Sequence, residues 1–112
     1  MNEKKIKLLL RKFSKNRDWD KFHNLKNLAC ALSVEASELL EIFQWENNKK
    51  ITDEKTFERI SDEVADILLY LIRFADIANI NLEVACLNKI KKNEKKYPVK
   101  LCKGVSKKYN EL

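Results

Sequence analysis

Two pairs of acids carry the clearest chemistry in this chain: Glu35 with Glu38, and Glu63 with Asp66. Each pair is spaced i,i+3 inside a segment that is otherwise apolar and helical in pattern. At about 100° per residue, the second acid of each pair sits roughly 60° round the helix from the first. With Glu35 set at zero, Leu28, Leu32, Leu39 and Phe43 fall in a narrow arc beside it. With Glu63 at zero, Ile60, Ile67, Leu71, Phe74 and Ala78 fall in nearly the same arc. One carboxylate of each pair therefore borders a core stripe, and its partner lies just beside it. Acids are seldom buried unless paired or bound to metal. Two helices with matching wheels can aim four carboxylates at one spot, an oxygen set suited to a hard cation such as Mg²⁺. Taken singly, each acid reads as a surface carboxylate paired with Lys; the symmetry across two helices favours the metal reading. A di-iron centre would need Glu-x-x-His on two helices, and the chain has one His, His23.

Other residues could serve the same site. Glu41 continues the first series, farther from the core stripe; it could hold a second metal or polarise a water, or be an ordinary exposed acid. Trp19, Phe22, His23 and Trp45 form an aromatic group near the ends of the second helix. A base stacked between two Trp rings would gain about 1–3 kcal/mol, with core packing the competing role. Tyr70 follows Asp66 by four residues on the same helix face. Lys89, Asn93, Lys96 and Tyr97 recur at i, i+4, i+7 and i+8, aligning amines and an amide on one face for phosphate oxygens; a solvated face is the competing reading.

The elements that must position these residues are helices. One Gly and one Pro in 112 residues, both beyond residue 97, leave little room for a turn-rich β fold. One domain with one core is expected at this length. We read four helices: Glu3 to Lys15, with Ile6, Leu9, Leu10 and Phe13 facing inward; Asn24 to Trp45; Lys55 to Asn79; and a fourth to Lys95, with Asn81 as its N-cap. A connector over 16–20 and a polar link from Asn47 to Asp53 separate the first three. Pro98 stops the fourth, and Val99 to Leu112 reads as an irregular tail. The third helix is apolar nearly all round: Ile67, Leu71 and Phe74 form one stripe, while Leu68, Leu69 and Ile72 face elsewhere. The second side predicts a contact with another subunit, hence a homo-oligomer.

Three scattered cysteines, Cys30, Cys86 and Cys102, fit a reducing cytosol. The N-terminal segment lacks a signal-peptide pattern, and no apolar run is long enough to span a membrane. The net charge of +6 gives a Lys-rich surface that could draw a polyanion such as a nucleotide triphosphate. Nucleic-acid-binding motifs are absent, so neither nucleic acid nor membrane is expected as a partner.

The chain resembles the MazG-like, all-α nucleoside triphosphate pyrophosphohydrolases, and within them the dCTP pyrophosphatase branch. The matching strings are RDWDKFHNLKNL (17–28), VEASELLEIFQW (34–45), DEVADILLYL (62–71), KIKKNEKKYP (89–98) and SKKYNEL (106–112). The family pattern is E-E-x-x-E followed by E-x-x-D; here positions 39–62, or 24 residues, separate Glu38 from Glu63. Val34 replaces the first Glu of the family's doublet, a trait of that branch.

The resemblance implies an all-α, MazG-like four-helix bundle that assembles into a homodimer or homotetramer with active sites shared between subunits. It implies a Mg²⁺-dependent, cytoplasmic enzyme that splits a nucleoside triphosphate between the α and β phosphates. Glu35, Glu38, Glu63 and Asp66 would ligate Mg²⁺. Trp19, His23, Trp45 and Tyr70 would line the base and sugar pocket. Lys89, Asn93 and Lys96 or Tyr97 would hold phosphates. Glu41, or one of the four ligands, would orient the water. dCTP or a modified dCTP is the expected substrate; dUTP or damaged purine triphosphates are the alternative, and a non-catalytic helical binding module is the reading from another class.

Overall fold

The computed structural model describes residues 1–45 and 53–112; the expected link from Asn47 lies outside them except for Asp53. The described residues form two compact units, Met1–Asn79 and Ile80–Leu112. The first holds α1 (Glu3–Asn16), a 3₁₀ turn (Asp20–Phe22), α2 (Leu25–Ile42) and α3 (Glu54–Ile77). The second holds α4 (Leu82–Lys96), α5 (Val99–Cys102) and a 3₁₀ turn at Tyr109–Glu111. No strand occurs among the described residues, so the all-α expectation holds.

Each of the four long helices starts on an Asx cap. Asn2, Asn24, Asp53 and Asn81 accept from the backbone N–H of Lys5, Asn27, Thr56 and Val84 respectively. Such caps satisfy amides that a helix's first turn leaves without partners. The ends need left-handed backbone: Asp18, just past α1, has φ 56° and Asn79, just past α3, has φ 57°. Short Asx side chains tolerate that region better than most.

Two ends fall earlier than the sequence predicts. α2 stops at Ile42, not Trp45, and α3 at Ile77, not Asn79. The tail is also more ordered than predicted. Pro98 ends α4 and then opens α5, its carbonyl accepting from the N–H groups of Leu101 and Cys102. Its extended backbone, φ −61° and ψ 141°, serves as that cap.

α3 is central to the first unit and packs on both α2 and α1. α1 of the same chain covers part of the side expected to meet another subunit, and Phe57, Val64 and Leu71 of α3 stay exposed. Ile72, expected to face away from the core stripe, is fully buried, while Leu71, expected inside it, is 38% exposed. Leu28 and Ile42 of α2 and Ile72 and Ala75 of α3 are the buried apolar residues of the described chain. Leu9 and Phe13 are exposed rather than inward; Phe13 instead carries the Arg17 guanidinium over its ring at 3.6 Å. No described helix is long and apolar enough to cross a membrane.

Ile72→Ala should lower unfolding free energy by about 2–5 kcal/mol, as expected for truncating a fully buried aliphatic side chain. Urea denaturation measures it, and a variant as stable as the parent would show that this side of α3 is not packed.

Candidate active site

The packing of α2 on α3 gathers the acids. Glu35, Glu63 and Asp66 each offer one carboxylate oxygen, and the three lie within 4.8 Å of one another. Glu38 lies one turn on from Glu35, and its charge acts on both Glu35 and Glu63. Three like charges this close repel strongly, and water is partly excluded. Burial, reinforced by hydrogen bonds with Glu38 and Glu63 and by the charges of Glu38 and Asp66, pushes the Glu35 carboxyl up to about 7. Glu63 is raised too, chiefly by burial. Glu35 Oε2 and Glu63 Oε2 are buried without a hydrogen-bond partner.

Buried carboxylate oxygens without donors, converging from two rigid helices, fit a hard divalent cation such as Mg²⁺. Glu35, Glu63 and Asp66 would form its inner set, with Glu38 beside them. Glu41 lies one turn farther along α2 and is exposed.

A cleft of about 110 Å³ reaches Asp66 of this cluster, walled by Leu10 and Phe13 of α1, by His23, and by Asp66, Leu69, Tyr70 and Arg73 of α3. It brings His23, Asp66 and Tyr70 together. Trp19 stands edge-on to both Phe13 and His23, with ring centroids 5.7 and 6.3 Å apart. Trp45 does not join them. Trp19 and His23 precede α2, Trp45 follows it and is 88% exposed, and an 18-residue helix is about 27 Å long. Two Trp rings at opposite ends of such a helix cannot sandwich one base within a single chain.

Lys89, Asn93, Lys96 and Tyr97 lie exposed in the second unit. The Lys96 ammonium sits 4.9 Å from the centre of the Tyr109 ring, and Tyr97 meets the same ring edge-on. The tail thus folds back on the face expected to hold phosphates.

One group escaped the sequence reading. Arg73 is buried, donates from Nε to His23 Nδ1 at 3.1 Å, and from Nη2 to Asp20 Oδ1 at 3.0 Å. Ser14, fully buried, donates to the same Asp20 oxygen at 2.5 Å and lies 3.3 Å from His23 Nδ1. Serine, histidine and aspartate meet here, but not as a nucleophilic triad, which would pair serine with a free histidine nitrogen. The Ser14 proton goes to Asp20, and His23 Nδ1 is taken by arginine. A charge set in an apolar run, Ile72-Arg73-Phe74, is the same signal that exposed Glu63 and could have found it.

Residues 30–112 match the MazG-like family model. dCTP pyrophosphatase 1 of Homo sapiens is 35% identical over 111 residues, 96% of this chain and 65% of that protein. Its Bos taurus counterpart is 36% identical, covering 96% and 66%. The chain therefore spans just under two thirds of the length of the curated relatives it matches. The crystal structure of a pyrophosphatase from Archaeoglobus fulgidus has a TM-score of 0.69 and 43% identity, over 80% of this chain and 86% of that one.

The acid cluster sets a pH signature for the metal-free protein. Glu35 titrates higher in the fold than its ordinary 4.5, so the folded state binds its proton more tightly than the unfolded chain does. That contribution is complete below pH 4.5 and is lost as pH rises to about 7. Thermal unfolding in a chelator should show the melting temperature falling across that window. Mg²⁺ should restore it at the alkaline end, and Glu35→Gln should flatten the fall. A chelated protein whose melting temperature is flat there would contradict the charge crowding.

Proposed function

The chain belongs to the MazG-like family, and from that premise we propose that it is a Mg²⁺-dependent nucleoside triphosphate pyrophosphohydrolase. The proposed reaction releases the nucleoside monophosphate and pyrophosphate, with dCTP or a modified dCTP as the substrate, and clears such nucleotides from the pool. The observation that carries the reading is the trio of Glu35, Glu63 and Asp66 with its two partnerless buried oxygens. The similarity to dCTP pyrophosphatase 1 supports the base. The three unbridged cysteines fit a cytoplasmic setting.

In this reading water attacks the α phosphorus, the bond to the bridging oxygen breaks, and pyrophosphate leaves. Mg²⁺, when bound, would neutralise charge on the phosphate oxygens and acidify the attacking water. Glu35, Glu63 and Asp66 hold that charge in place from two packed helices, so little reorganisation is needed as the reaction proceeds. We assign the water's proton to Glu38, which borders the trio without belonging to it. Glu41, exposed, is left outside the chemistry. His23 and Tyr70 contact the nucleoside from the cleft walls, Trp19 stands behind His23, and Lys89, Asn93, Lys96 and Tyr97 are assigned to phosphates.

A cleft of about 110 Å³ is small beside the roughly 300–1,000 Å³ of ordinary ligand sites. A nucleotide needs further walls. We therefore read the active form as a homo-oligomer with shared sites, in which Trp45 serves a site of a second copy. A seam on α3 supports this. Phe57, Ile60, Val64, Ile67, Leu71, Phe74 and Ala78 alternate at spacings of three and four, a coiled-coil repeat. Ile60, Ile67 and Phe74 are half-buried, while Phe57, Val64 and Leu71 along the other edge are exposed.

Pyrophosphate release from a panel of canonical and modified triphosphates, with and without Mg²⁺, tests the activity. Fastest Mg²⁺-dependent release is expected with dCTP or a 5-substituted form. Another preferred base, such as uracil or a damaged purine, would move the specificity, and no release from any would end the reading. Glu38→Gln and Asp66→Asn should each abolish turnover with the fold retained by circular dichroism. An active variant would remove that acid from the mechanism.

Sedimentation should give a dimer or tetramer for the parent, and Leu71→Lys should shift it toward the monomer. A parent chain that sediments as a monomer would rule out shared sites.

A further inference from the structure

Asp66 and Arg73 sit on one helix, seven residues apart, and both line the cleft, yet the four-acid chemistry makes no use of the arginine. A buried guanidinium needs acceptors. Arg73 finds them in Asp20 at 3.0 Å, in Asp76 at 3.6 Å, and in His23 Nδ1 at 3.1 Å. Arg11 donates to both oxygens of Asp76 at 2.6 and 2.7 Å, which fixes the carboxylate. The Arg73 fork is thus held at three points, and its Nε–H is aimed at one imidazole nitrogen.

Arginine is a donor only and stays charged. A histidine nitrogen that accepts from it carries no proton. The neighbouring hydroxyl does not compete, because the Ser14 proton is committed to Asp20. Burial and the Arg73 charge lower the His23 pKa from its ordinary 6.5, against a pull in the other direction from Asp20. A neutral ring with Nδ1 unprotonated has its one proton on Nε2.

We propose that Arg73 is a positioning residue that locks His23 as an Nε2–H donor, so that the cleft selects ligand groups that accept a hydrogen bond at that edge. The carbonyl of a pyrimidine and a sugar oxygen are groups of that class; an exocyclic amine is not. Lys21, two residues before His23, is turned away and pairs with Asp18 at 3.0 Å. The lock is therefore assembled from α1, the 3₁₀ turn and α3 through Ser14, Asp20 and Arg73. Its consequence for substrate choice rests on the cleft being the nucleoside site, whereas the lock itself does not.

His23 is the chain's one histidine, so its ring nitrogens can be read without ambiguity in a long-range ¹H–¹⁵N spectrum of substrate-free protein. At neutral pH the parent should show a single neutral form with Nδ1 unprotonated. Arg73→Met should give a mixture of tautomers and raise the His23 pKa toward its ordinary value. With dCTP, the same variant should raise KM about tenfold, the worth of one hydrogen bond, and leave kcat within about twofold. His23→Ala and the double variant should show the same KM, since the arginine acts through the histidine. A parent with a proton on Nδ1, or a variant whose tautomer and KM match the parent, would overturn the proposal. The spectrum needs no substrate, so a chain that hydrolyses no triphosphate would refute the proposed activity and leave the lock standing.

Discussion

Everything at this site follows from packing α2 on α3 with carboxylates at the seam. Leu28 and Ile42 are buried on α2, and Ile72 and Ala75 on α3, and the packing of α2 on α3 sets Glu35 against Glu63 and Asp66. An apolar pair at those positions would make a better core. Partly buried like charges are costly unless something compensates. The metal-free fold compensates by holding a proton, which is why Glu35 is pushed up to about 7. A cation that displaced the proton would turn the same crowding into affinity. Ligation of a cation there would couple to folding through one small volume between two helices.

The opposite end of the cleft solves a similar problem in the opposite way. Arg73 is also a buried charge on α3, but its donors meet Asp20, Asp76 and His23. The guanidinium itself is satisfied within the protein. Its role is to hold geometry, while the acids two turns earlier retain free oxygens. One helix thus carries a satisfied charge and an unsatisfied set, and the contrast separates the part that binds from the part that orients.

The acids, the helices and the Asn81 cap were legible in the sequence because each is a local signal. A charge in an apolar run, a 3.6-residue period and an Asx before a helix all lie within one turn of chain. What was not legible depends on neighbours. A helical wheel assumes one buried face, but α3 has α2 and α1 against it, so Leu71 and Ile72 exchanged the roles their spacing assigned them. Pro98 was read as a stop, and it is also the cap that opens α5. The bond between Arg73 and His23 joins residues 50 apart, a relation no spacing rule contains.

The proposal that sites are shared between copies of the chain rests on three separate features. The cleft, at about 110 Å³, is small beside ordinary ligand sites. Trp45, matched by the family resemblance to the nucleoside pocket, lies a full helix length from His23. The α3 seam buries one edge of a seven-residue repeat and exposes the other. Each has a separate physical origin: volume, the 1.5 Å rise of a helix, and apolar periodicity. A second copy laid along the exposed edge of α3 would cover Phe57, Val64 and Leu71, and could bring in the missing ring. Those residues share α3 with Glu63 and Asp66, so an assembly formed there would stiffen the helix that supplies half of the acid cluster. On this reading association and catalysis are one design problem, because the helix that closes the interface is the helix that carries the ligands.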